Sequence, residues 1–164
     1  MPIILSTQPQ DIDIAEAYAL DVCQSDPRKN PETFYTGALG ELAFARWDGP
    51  ETYDRCVAHL RRGAAPAAED WRYDFVSRRS YLIDVKSVGY DNVRRGFGDM
   101  LISKPDPDVT YVLLYSLGPS NRVFEFSGWV LGSQIHDMAL KPLARDNHKF
   151  VRVRKRDLNP IDKW

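Results

Sequence analysis

Cysteine is scarce. Cys23 and Cys56 are the only two in 164 residues, far apart and outside any CxxC or Cys/His spacing, so neither a disulfide scaffold nor a zinc site is indicated. They read as reduced thiols, in the core or on the surface. No apolar run approaches the length of a membrane span, and Met1-Pro2-Ile3-Ile4-Leu5 lacks the basic start and long apolar stretch of a signal peptide. A cytoplasmic protein with no membrane partner is the expectation. The histidines His59, His136 and His148 show neither metal-ligand spacing nor a neighbouring nucleophile signature. Gly96-Phe97-Gly98 is an isolated G-x-G without the spacing of a dinucleotide or phosphate loop. Net charge is also small, −1, which argues against coating nucleic acid indiscriminately. With 43% hydrophobic and 27% charged residues and no repeats, residues 1–164 are read as one globular domain.

The charge that is present is unevenly spread. Residues 1–26 hold five acids and no Lys or Arg, whereas residues 141–156 hold seven Lys/Arg against one acid, Asp146. A polarised surface of this kind is compatible with docking on phosphates, and equally with a solvated face.

The stretch DWRYDFVSRRSYLIDVKSVGY, residues 70–90, carries the chemistry. Tyr73-Asp74-Phe75-Val76 and Tyr81-Leu82-Ile83-Asp84-Val85 are β-branched and aromatic runs joined by Ser77-Arg78-Arg79-Ser80, which predicts a β-hairpin. Each strand has an acid in its middle, disfavoured there by propensity and costly to bury without a partner. If the strands are antiparallel neighbours, Asp74 and Asp84 can share a face, and period-two alternation adds Lys86 to it. Asp70 competes with Asp74 but precedes the apolar run.

Upstream, Asn30-Pro31 predicts an N-cap and first residue for a helix running to about Trp47. Within it, the helical neighbours of Glu41 are Gly37, Ala38, Phe44 and Ala45, so the glutamate stands alone on an apolar, small-residue face and needs a partner. Gly37 and Gly40 each weaken the helix by roughly 1 kcal/mol, which suggests close packing. A helix pressed on the hairpin, delivering Glu41 to Asp74 and Asp84, accounts for both. Arg46 could pair with Glu41 or with a substrate phosphate.

Asp74 followed by Asp84-Val85-Lys86 resembles the core of the PD-(D/E)xK nuclease superfamily, although Tyr73 stands where that motif has proline. Gly37-x-x-Gly40-Glu41 resembles the GxxGE helix of several small nucleases of the superfamily. Phe126-Ser127-Gly128-Trp129 resembles a GW strand of phage and archaeal members. The resemblance, over about residues 36–131, implies a restriction-endonuclease-like fold, a central mixed β-sheet flanked by helices. It further implies that Asp74, Asp84 and Glu41 bind Mg²⁺ or Mn²⁺, with the Val85 carbonyl as a further oxygen. Lys86 would orient the attacking water or act as a charge partner. The implied activity is metal-dependent hydrolysis of phosphodiester bonds, with DNA as partner and a homodimer left open. A catalytically inactive nucleic-acid-binding protein, or a salt-bridge cluster in an unrelated protein, remain the alternatives.

The remaining pattern predicts helices over 11–24, 51–63 and 133–140 and a long loop over 91–108. Strands are expected at 109–115, buried on both faces, at 122–131 and at 150–154. The composite is an α/β or α+β domain. Arg94, Arg95 and Lys104 in the loop, and Arg152 and Arg154 on the last strand, are the candidates for contacting a nucleic-acid backbone.

Overall fold

The computed structural model describes residues 2–63, 73–138, 141–143 and 146–164, without the side chains of 141–143 and 146–148. Prolines open the three long helices α1 (Pro9–Ser25), α2 (Pro31–Asp48) and α3 (Pro50–Arg61), at a position whose N–H would go unpaired in any residue. Asp11 Oδ2 accepts the Gln8 N–H at 2.7 Å at the head of α1, and Asn30 Oδ1 accepts the Glu32 N–H at 2.9 Å at the head of α2. These helices match the expected ones to within a turn.

The hairpin forms with a shorter first strand than expected. β2 (Phe75–Val76) pairs antiparallel with β3 (Leu82–Val88), Phe75 opposite Ile83. β3 then runs parallel to β5 (Val109–Ser116), which is buried almost throughout, as its continuous apolar run requires. β5 pairs antiparallel with β6 (Val123–Leu131), and β6 with β1 (Ile3–Ser6). The resulting five-stranded mixed sheet has the order β1-β6-β5-β3-β2. A bulge beside Leu113 and Leu114 shifts β6 by one residue at Gly128, whose φ of 144° and close approach to Leu158 and Asn159 suit glycine alone.

The expected loop over 91–108 is instead occupied by α4 (Tyr90–Arg94) and β4 (Met100–Ile102). β4 belongs to a second sheet, ordered β4-β8-β7, with β7 (Lys141–Leu143) and β8 (Asp146–Val153). The helix expected over 133–140 is the single turn α5 (Gly132–Ile135), residues 139–140 lying outside the described ones.

Each face of the large sheet has its own core. On one side Ile83, Val85, Val112, Leu114, Phe124 and Phe126 pack under the three long helices. On the other, Tyr111, Leu113 and Val130 meet β4, β8 and α5 through Met100, Ile102, Val151, Val153 and Ile135. Helices therefore flank one face, and a small sheet covers the other. The architecture is mixed α+β.

The two glycines of α2 differ. A Cβ on Gly40 would overlap the Ser87 hydroxyl and stand 2.9 Å from Ser87 Cβ, so α2 lies directly on β3 there, whereas nothing lies within 4 Å of a Cβ on Gly37. Close packing explains Gly40 and not Gly37. Gly40→Ala is expected to lower the unfolding free energy by about 1–3 kcal/mol, and Gly37→Ala to raise it by up to about 1 kcal/mol. Urea denaturation of the two variants measures this, and equal effects would contradict the assigned contact.

Candidate metal centre

β2 pairs with β3 through Leu82 and Ile83, and just ahead of β2 the same edge of β3 is bound by Asp74. Its N–H donates to the Ile83 carbonyl at 2.7 Å, and its Oδ2 accepts the Val85 N–H at 2.7 Å. Because a residue's N–H and C=O project to the same side of a strand, the Val85 carbonyl points out along this edge too.

Side chains arrive at the edge from both faces. Ile83 and Val85 enter the helical core, which leaves Asp84 and Lys86 on the opposite face by strand alternation. Glu41 comes from the helical side, brought down by the contact of Gly40 with Ser87. Glu41, Asp74, Asp84, Val85 and Lys86 all line one cleft of about 480 Å³, with Tyr18, Gly37, Asn92 and Phe97 among its other walls. The structure thus gathers the whole set of sequence-predicted metal and catalytic residues around one space. Gly37 serves that space by leaving it unfilled.

Among the described residues lining the cleft, Glu41, Asp74, Asp84 and Asp99 stand with one cation, Lys86. Lys86 Nζ lies 2.7 Å from Asp84 Oδ1 as an ion pair, outside hydrogen-bond alignment. Glu41 is 8% exposed and its Oε2 has no hydrogen-bond partner. Burial, and then the charges of Asp74 and Asp84, push the Glu41 carboxyl well above the usual range. Burial and the Asp84 charge push Asp74 up to about 8, and burial raises Asp84 against the opposing pull of Lys86. Burial works to lower Lys86, but Asp84 and Asp74 outweigh it and hold the lysine charged. Lys86 is therefore a donor and a positive charge, and is unsuited to accept a proton.

His59 is the neighbour that sequence reasoning missed. Among the described residues, Glu41, His59 and Asp74 form a group whose ligand atoms all lie within 4.8 Å of one another, and Asp84 stands outside it, paired with Lys86. His59 Nε2 is 4.0 Å from Glu41 Oε2, too far for a hydrogen bond. Burial and the nearby Arg62 lower its pKa, so the imidazole is neutral near pH 7. The available signal was helical: Thr52, Cys56 and Leu60 form the buried stripe of α3, and His59, three residues after Cys56, borders it.

The predicted backbone-contacting residues fare unevenly. Lys104 shares a groove with Asp84 and Lys86, and Arg95 lines a polar groove that shares Thr33, Ser87 and Asn92 with the cleft. Arg152 is tied at 2.6 Å to Asp99, a residue of the cleft wall. Arg94 lies over the Tyr90 ring on α4, and Arg154 is exposed past the end of β8. Arg46 takes neither expected role, since it pairs with Asp11 at 2.7 Å and covers the Tyr53 ring. Asp70 lies outside the described residues.

No family model, curated protein or solved structure matches the chain. No helix among the described residues is long and apolar enough to cross a membrane.

The raised carboxyls set a direction for stability against pH. Folded Asp74 titrates at about 8 and the unfolded group near 4, so between these values the folded state holds a proton that the unfolded state has released. That contribution is fully present below about pH 4 and is lost as pH rises through about 8. With divalent cations chelated, the urea midpoint is expected to fall from about pH 5 to about pH 8.5, and Asp74→Asn to flatten the fall. An equal slope in the variant would contradict the environment assigned to Asp74.

Proposed function

We propose that the protein is a metal-dependent nuclease that hydrolyses phosphodiester bonds, with DNA as substrate, on a restriction-endonuclease-like fold. The observation that carries this reading is the convergence of Glu41, Asp74, Asp84 and Lys86 on one cleft, with a buried carboxylate oxygen of Glu41 left without a partner. Buried acids are ordinarily paired or hold a cation. The donor set of three carboxylates and the Val85 carbonyl suits a hard ion, Mg²⁺ or Mn²⁺. Such a cation, when bound, would supply Lewis-acid polarisation of the phosphodiester and a water of lowered pKa.

The chain's own residues would do the rest. Lys86, charged and 38% exposed to the cleft, would position the attacking water or offset the charge that builds on the phosphoryl oxygens. As the water oxygen bonds phosphorus, the bond to the leaving oxygen breaks; that oxygen keeps the bonding pair and takes a proton from solvent, while the water's own proton passes to solvent or to a carboxylate. Lys104 and Arg95 stand in adjoining grooves, where backbone phosphates flanking the scissile one would lie. Arg152, neutralised by Asp99, would contribute less.

A purely structural charge cluster accounts for the Asp84–Lys86 pair but not for Glu41 and Asp74. A salt-bridge network selected for stability would satisfy Glu41 Oε2, and among the described residues nothing hydrogen-bonds to it.

Asp84 and Lys86 sit two residues apart and should fail differently. Asp84→Asn is expected to weaken Mn²⁺ binding and abolish nicking of supercoiled DNA. Lys86→Ala should bind Mn²⁺ at least as tightly as the wild type while nicking falls about 10²-fold or more. Calorimetric titration paired with a nicking assay reads both. Wild-type nicking by the Asp84 variant, or no nicking by the wild-type protein, would overturn the reading.

A further inference from the structure

Among the described residues, the group whose metal-binding atoms all lie within 4.8 Å of one another is not the acid triad seen from the sequence but Glu41, His59 and Asp74. We propose that His59 is a metal ligand, its Nε2 joining one oxygen of Glu41 and one of Asp74 in a mixed nitrogen–oxygen site for a first-row transition cation, favouring Mn²⁺ over Mg²⁺. The proposal takes the cation site of the preceding section as its premise, but not the hydrolysis.

Two geometric observations carry it. Donors of a single first-row ion lie about 2.0–2.2 Å from it, so any two of them stand at most about 4.4 Å apart. The 4.0 Å between His59 Nε2 and Glu41 Oε2 satisfies that limit, and the triad as a whole, within 4.8 Å, closes on an ion by under about half an ångström. Second, Glu41 Oε2 is the atom that faces His59 and is also a buried carboxylate oxygen without a hydrogen-bond partner. Were His59 present to satisfy Glu41, the two would stand at hydrogen-bond distance. A pair held just too far apart to bond, with Asp74 beside them, is spaced for an intervening ion.

The surroundings agree. Lys86 stands 2.7 Å from Asp84 as an ion pair, and no Lys or Arg among the described residues pairs with Glu41 or Asp74. Asp74 Oδ2 is already fixed by the Val85 N–H, so one ligand is held in place before binding. The His59 side chain is 23% exposed beside Glu41, itself a residue of the cleft wall. One imidazole among carboxylates moves a site from Mg²⁺, which prefers oxygen and its own waters, toward the first-row transition ions.

The test separates nitrogen from oxygen ligation. Mn²⁺ and Mg²⁺ are titrated calorimetrically into the wild-type protein and His59→Gln. The spin echo of Mn²⁺ bound to the wild type is recorded for ¹⁴N modulation. The expected result is ¹⁴N modulation of the imidazole type, a loss of at least about tenfold in Mn²⁺ affinity in the variant, and a change under about threefold for Mg²⁺. Unchanged Mn²⁺ affinity, equal losses for both ions, an echo without ¹⁴N modulation, or no Mn²⁺ binding by the wild type would each overturn the proposal. If His59→Gln does not fold, the wild-type echo decides alone. Mn²⁺ held through His59 by a protein that nicks no DNA would contradict the nuclease reading and leave this site standing. A nicking protein whose Mn²⁺ affinity ignores His59 would do the reverse.

Discussion

Among the described residues, Glu41, Asp74 and Asp84 are drawn out of bulk water around one ammonium, that of Lys86, and the burial of these charges together is the constraint on which the site depends. An isolated buried carboxylate costs far more than the net stability of a domain can supply, so such groups take up protons, pair, or bind a cation. Asp84 pairs with Lys86 and Asp74 accepts the Val85 N–H, but no Lys or Arg among the described residues pairs with Glu41 or Asp74, and both hold protons at pH values where exposed acids have lost them. The fold tolerates that state because α2 is clamped to β3 at Gly40 and Ser87 and is anchored at its far end by Trp47 and Phe44 in a cluster with Phe126 and Trp164.

The position of the cleft follows from β3 and what is set against it. β2 pairs with β3 through Leu82 and Ile83, and just ahead of β2 the Asp74 carboxylate takes the Val85 N–H in place of a strand carbonyl. Glu41 reaches the cleft from the helical face of the sheet, and Asp84 with Lys86 reach it from the opposite face.

Much of this was legible in the sequence because local chemistry decided it. Asn30-Pro31 fixes the start of α2, the acid-bearing runs fix the hairpin, and the apolar run 109–116 fixes the central strand. What escaped depends on contacts between distant segments. β4 is three residues long and exists by pairing with β8, so no alternation within 91–108 could announce it. β1 is likewise a short run held by β6. His59 was set aside because it has no ligand spacing along the chain, yet helix packing supplies in space what spacing lacks. Gly37 and Gly40 look equivalent in sequence, and only the position of Ser87 separates them. The pairing of Arg46 with Asp11 is of the same kind, a contact between helices with no mark in either.

Burial and mutual repulsion raise the Asp74 and Glu41 carboxyls, so a cation that binds there displaces protons, and this is tested most directly by counting them. Mn²⁺ is titrated into the metal-free protein at about pH 7 in buffers of differing ionisation enthalpy, and the proton stoichiometry is taken from the dependence of the binding heat on the buffer. With Asp74 at about 8 and Glu41 raised beyond its usual range, the account predicts release of roughly one to two protons per ion bound. Binding with no proton release, or no binding at all, would contradict it.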